Sequence, residues 1–317
     1  MHDRWGDGHT GSGKGFGKTI LFGEHFVVFG LEGIPCALGQ VTTAEVKRIE
    51  GKGGYELIDN RPATPGYKEE KRGEYDALIK RVLEYLNVSD RVKITLGGDL
   101  VAASGIGASA ACAVAIARAI NEEYDLGLDD AQINKAAFEG ETAGSGTPSG
   151  IDNTAATFGG FLLFKKGLAG AENKFEFLKV KKPVEIVLGN SGKTALTKDV
   201  VADVKKLKET DPTINIVFNE YEMLEKEAVE AIKEENWKKV GALMDKNQEL
   251  LAKLTVSGKE IEEIIAAARA AGAYGAKLTG TGRGGLVICL TPGRELQDKV
   301  ANAIEKKGYK TIKTVVG

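Results

Sequence analysis

The stretch "SGIGASAACAVAIARAI", residues 104–120, joins a loop of small residues to a run that is apolar almost all the way round. A helix without a wet face is buried inside a domain, so the chain is built around this segment. Four or five backbone amides can converge on an anion where such a loop enters a helix, and the helix dipole adds partial positive charge. Two other readings remain open. Gly105, Gly107 and Ala110 also satisfy the dinucleotide pattern GxGxxA. However, "GGDLVAAS" stands where a buried strand should lead in, and the acids about 20 residues on, in "DLGLDD", follow the helix instead of a second strand. The loop could also be a tight turn with no ligand.

A competing phosphate signal lies upstream in "GSGKGFGKTILFGEHFVVFG", residues 11–30. The Walker pattern needs a glycine five positions before Gly17, and Ser12 is there instead. No helix follows Lys18 either; Thr-Ile-Leu-Phe-Gly and Phe26–Gly30 read as strand, turn, strand. Lys18 therefore acts from a strand. Residues 1–14 read as a disordered leader or expression remnant.

A chain of 317 residues with 42% hydrophobic content holds one large domain or two ordinary ones. Forty-three basic against 45 acidic residues leave a net charge of −2, which gives no field for nucleic acid or an anionic membrane. There is no apolar run near the roughly 20 residues of a membrane span and no apolar signal-peptide core, so a cytoplasmic location is expected. Cys36, Cys112 and Cys289 are far apart in small or apolar surroundings, as reduced packed thiols are. His25 is the one histidine outside the leader, too few for a zinc site.

Outward from the central helix, strands are expected at 18–23, 26–30, 36–48, 54–58 and 92–97, and helices up to about Leu86 and over 129–142. From about Thr197 the pattern turns to long helices, the last opened by a Ser257/Glu260 capping box and stopped by Gly272. "GAKLTGTGRGGLVICL" then reads as strand, glycine loop, strand. The expected fold class is α+β, with two domains, 15–190 and 191–317, and a cleft between them.

Two carboxylates stand out. Glu141 shares the apolar face of its helix and lies near the C-terminus, where the dipole disfavours negative charge. Either the helix end is ragged and Glu141 is solvated, or it meets a divalent cation. Asp152, in "GSGTPSGIDNTAATFGG", either caps a turn or does chemistry. The loop Thr279–Gly285 with Arg283 is either a strand-joining turn or a lid over an anionic group.

Together these segments resemble the mevalonate kinases of the GHMP kinase superfamily. "GKTILFGEHFVVFG", "SGIGASAA" and "KLTGTGRGG" are similar to that family's three motifs, in order, and "GETAGSGTPSGIDN" to its acidic segment. The resemblance implies the GHMP kinase fold, an α/β sandwich with the active site in the interdomain cleft. It also implies ATP and Mg²⁺ as cofactors and phosphorylation of the primary hydroxyl of mevalonate in isoprenoid synthesis. Position by position it implies Lys18 near the transferred phosphate, and Ser104, Gly105, Ile106, Gly107, Ala108, Ser109 and Ala110 around the ATP phosphates. Ser109 and Glu141 fall on the metal ligands. Asp152, eleven positions after Glu141, falls on the catalytic aspartate. Glu24, His25 and Thr197 fall on the mevalonate side, and Gly280, Gly282 and Arg283 belong to the third motif.

The resemblance has departures. Ala108 stands where the family has the first of a serine pair, Ser145 where many members have histidine, and Thr281 and Arg283 where Ala and Gly are common. Arg283 either adds charge near the nucleotide or fills space. The alternatives are a related kinase of another small alcohol or of phosphorylated mevalonate, and a non-catalytic ligand-binding regulator of the same fold. No nucleic acid or membrane partner is expected, and the chain is expected to be a monomer or a homodimer.

Overall fold

The computed structural model describes residues 9–103, 105–146 and 148–317, which fall into two compact units. The first is the chain up to Lys18 with Gln40–Gly159; the second is Thr19–Gly39 with Gly160–Gly317. The single cut near residue 190 expected from composition is thus replaced by a division that the chain crosses three times. Composition tracks helix content, whereas the units follow spatial proximity, which puts 19–39 and 160–190 in the second unit.

The first unit contains β1 (Gly11–Phe22, up to Lys18), the later part of β2 (Glu32–Lys52), β3 (Tyr55–Asp59), α1 (Tyr67–Glu70) and α2 (Arg72–Tyr85). These are followed by β4 (Asp90–Gly98), α3 (Ala108–Glu123), α4 (Asp130–Ser145) and α5 (Ile151–Phe158). Strand order is β3-β4-β2, with β4 antiparallel to β2 and parallel to β3. Val92, Ile94 and Leu96 are fully buried, as their alternation with Lys93 and Thr95 requires. They join Val46, Ile79, Val82, Ile116 and Ile133 in one core. Every residue of Ala110–Ala117 is at zero exposure, so α3 is the central helix. Asp129 caps α4 in a full capping box with Gln132.

The glycines upstream of Lys18 have a structural use. A Cβ on Gly11, Gly13 or Gly15 would lie 2.1, 2.2 and 2.2 Å from the carbonyl oxygens of Ala119, Ala115 and Ala111. Two residues of strand rise about 6.7 Å and four residues of helix about 6 Å, so alternate strand positions meet successive turns of α3. Glycine lets the two backbones touch. Gly11–Lys14 therefore belong to β1 and not to a disordered leader; the rest of that expected leader lies mostly in residues 1–8, outside the described residues.

The second unit contains β5 (Phe161–Lys165), β6 (Lys174–Leu178), β7 (Val184–Asn190), α6 (Thr197–Thr210), α7 (Ile214–Lys233) and α8 (Trp237–Lys253). After these come α9 (Lys259–Ala270), β8 (Gly275–Thr279), β9 (Leu286–Leu290), α10 (Arg294–Glu305) and β10 (Lys310–Val316). The early part of β2 opens the antiparallel order β2-β10-β7-β9-β8 and also pairs with β5. The strand expected at 26–30 is instead a 3₁₀ turn, Val27–Phe29, closed by Gly30 at φ 86°. Its apolar side chains plug the interior, where the Phe26 ring stacks on Tyr221 at 3.9 Å, so they do not enter a ladder.

The Ser257/Glu260 box does not form, because Ser257 Oγ donates to Glu262 at 2.6 Å while Glu260 pairs with Lys193. Gly272, at φ 100°, does stop α9, with its amide and that of Ala273 closing on Arg269 and Ala268. The three cysteines are free and buried. Among the described residues no helix is long and apolar enough to cross a membrane.

Candidate active site

In the first unit, the backbone brings Lys18 to the glycine loop. Its amide donates to Ile106 O at 2.8 Å, and a Cβ on Gly107 would sit 3.1 Å from Lys18 Cβ. Gly105 and Gly107 adopt φ of 91° and 68°, which turn the chain into α3. The first turn of α3, Ala108–Ala110, then has amides with no acceptor inside the helix. Ser104 lies outside the described residues. No buried strand feeds this loop, since β4 ends at Gly98 and the chain runs on through an isolated bridge at Ala102. That removes the dinucleotide reading.

Lys18 Nζ lies 2.8 Å from Asp152 Oδ1; the lysine side chain is 7% exposed and the aspartate 39%. Asp152 stands in the first turn of α5, after Gly150 at φ 86°, so it is a helical residue aimed at Lys18 and not a turn cap. Glu141 is buried on the inner face of α4 beside Ala137 and Gly140, and Ser109 Oγ donates to its carboxylate. Burial pushes Glu141 up to about 7, with the Asp152 charge adding, while the Ser109 hydrogen bond and the Lys18 charge oppose. A buried carboxylate that favours its proton, joined to a hydroxyl, is a pair of hard oxygen donors short of positive charge. That donor set fits a magnesium ion completed by phosphate oxygens.

In the second unit, Gly23 at φ 111° passes so close to β2 that a Cβ would lie 2.5 Å from Gly33 Cα, and His25 follows at φ 64°. Glu24 is wholly enclosed. Its Oε1 is 2.5 Å from Nζ of an equally enclosed Lys277, which also donates to Leu278 O. Burial pulls Lys277 downward against that pairing. Glu24, expected on the substrate side, has its carboxylate enclosed with Lys277 next to His25.

His25 Nε2 is 2.7 Å from Thr281 O. A carbonyl only accepts, so Nε2 carries the proton and Nδ1, buried without a protein partner, is the acceptor. Burial lowers the His25 pKa, and the charges of Arg283 and Lys277 lower it further. Thr197 Oγ1 lies 2.7 Å from Thr281 Oγ1. Gly280 and Gly282 take φ of 86° and 78°, and a Cβ at Gly282 would strike Val256 O at 2.2 Å.

The sequence reading missed Lys277 and Asp203, the acid that pairs with Arg283. A lysine inside the otherwise buried strand "GAKLT" was the available signal for the first. Asp203, on an exposed helix face, offered none.

Residues 77–160 match the GHMP kinases N terminal domain and residues 228–310 the GHMP kinases C terminal. The mevalonate kinase of Thermococcus sibiricus is 35% identical, with 94% of each chain covered. The crystal structure of L. major mevalonate kinase in complex with R-mevalonate superposes with a TM-score of 0.93 at 37% identity, covering 97% of this chain and 96% of that one. The Methanococcus jannaschii mevalonate kinase structure gives 0.79 at 26% identity, covering 98% and 100%. The chain belongs to the GHMP kinases and, within them, to the mevalonate kinase family.

Proposed function

We propose that this chain transfers the γ-phosphoryl group of ATP to the primary hydroxyl of (R)-mevalonate, giving 5-phosphomevalonate and ADP for isoprenoid synthesis. The observation that carries the reading is the 2.8 Å Lys18–Asp152 pair, with Lys18 held by its amide on the glycine loop. Phosphoryl transfer asks for positioning and charge neutralisation more than covalent chemistry. Asp152, partly open and beside a cation, orients the alcohol and accepts its proton as the new P–O bond forms. Lys18 offsets the charge on the transferred group. The loop from Gly105 to Ala110 presents its amides to the ATP phosphates.

Ser109 and Glu141 would hold Mg²⁺, which supplies charge neutralisation on the phosphate oxygens when bound. Neutral His25 offers Nδ1 to a hydroxyl of the substrate, and Thr197 adds a second polar contact.

A coupled ADP-release assay with mevalonate, phosphomevalonate, homoserine and galactose tests this reading. Mevalonate should be turned over with the highest kcat/KM by at least tenfold. Preference for phosphomevalonate or another alcohol would replace the substrate, and no ADP release with any of them would make the chain a ligand-binding relative.

A further inference from the structure

Two departures from the family pattern, Thr281 and Arg283, do not act alone in the structure. Arg283 adopts φ 52°, a left-handed conformation that glycine takes without strain and arginine does not. All three nitrogens of its guanidinium reach protein acceptors. Nη1 donates to Asp203 Oδ2 on α6 at 2.5 Å, Nε to Thr255 O at 3.1 Å, and Nη2 to Thr255 Oγ1 at 3.4 Å. Its own amide donates to Val256 O at 2.6 Å. Two positions earlier, Thr281 meets Thr197 of α6 through its hydroxyl and His25 through its carbonyl. The β8–β9 loop thus touches α6 at two points, one turn and a half apart, and is anchored from behind by the turn after α8.

We propose that Arg283 and Thr281 form a latch that fixes α6 on the β8–β9 loop, making Arg283 and Asp203 positioning residues for Thr197 and His25 and hence for the alcohol substrate. The proposal rests on the mevalonate reading given above. It assigns Arg283 to the alcohol's affinity and not to the nucleotide, because the guanidinium is held against Asp203 and Thr255. Alanine at 281 has no hydroxyl and glycine at 283 no guanidinium, so neither cross-link could form with those residues.

The test is a kinetic cycle with a separate structural readout. Asp203→Ala should raise KM for mevalonate about threefold to fivefold, the range of a partly exposed, well-aligned ion pair, with kcat and KM for ATP changed less than twofold. Arg283→Ala should raise KM for mevalonate by a similar factor, and the double variant should be no worse than either single one. The charge exchange Asp203→Arg with Arg283→Asp should recover at least half of the loss. Hydrogen exchange of amides 198–203, measured without substrate, should quicken in both single variants, which reads the latch even if mevalonate proves not to be the substrate. A rise in KM for ATP instead, a silent Asp203→Ala, or unchanged exchange in α6 would overturn the proposal. If Arg283→Ala folds poorly, Asp203→Asn on the exposed face of α6 carries the same measurements.

Discussion

The candidate-site groups described in the two units are compensated to different degrees. In the first, the Lys18–Asp152 pair is open on the aspartate side, and Glu141 has a hydroxyl for a partner and favours its proton. In the second, Glu24 and Lys277 are sealed together at zero exposure, and His25 is held neutral. Unpaired charge is costly, so it persists where a charged ligand completes it; on the function proposed above, the ATP phosphates on the glycine loop beside Lys18 would do so. A closed ion pair does no chemistry on a ligand. It fixes the backbone on which a neutral hydrogen-bonding group is displayed.

Breaking each side should therefore fail in a different way. The largest effect is expected from Asp152→Asn. Turnover should fall by about 10³-fold, within the range for loss of a general base, with KM for ATP and the melting temperature little changed; near-normal kcat would remove Asp152 from the chemistry. On the other side, Lys277→Met should cost about 3–5 kcal/mol of stability in urea unfolding, since it leaves the Glu24 carboxylate buried without its cation. Glu24→Gln should cost less, because burial already biases Lys277 towards the neutral amine. Equal losses from the two would contradict the asymmetry.

The smallest effect sharpens the comparison within the second unit. Glu225, buried on α7, is pushed up to about 7 by burial and by Glu32 and Glu222, against the opposing charges of Lys226 and Lys165; it lies beside Tyr221, whose hydroxyl donates to Glu32 O. The folded chain thus holds this proton more tightly than the unfolded chain, whose value is near 4.5. Its contribution is fully present below about pH 4.5 and is lost as pH rises to about 7, by at most about 3 kcal/mol. Melting temperatures from pH 4 to 8 should show Glu225→Gln losing that part of the slope, and an unchanged slope would place the titration elsewhere.

Much of the candidate chemistry in the first unit was legible because it is local. A small-residue loop entering an apolar helix and a carboxylate on the inner face of α4 are readable from spacing, whereas Asp152 was open between a turn cap and chemistry; the structure brings Lys18 to Asp152 and Ser109 to Glu141. The second unit's candidate residues were legible in part. Thr197 and His25 meet through Thr281, but the closure of Glu24 on Lys277 joins residues 253 positions apart. The latch through Asp203 likewise depends on an approach between distant elements.

The sequence by itself determined the α+β class, the central helix and the long helices of the later chain, since each follows from periodicity. Tertiary structure alone decided the rest. It divided the chain into two units, buried Phe26 in a turn, and made Gly11, Gly13 and Gly15, already out of register for a phosphate loop, the contact face of a strand against α3. A glycine's lack of a side chain is the same in both settings; which backbone or ligand comes close enough to need it is fixed by the partner across the core.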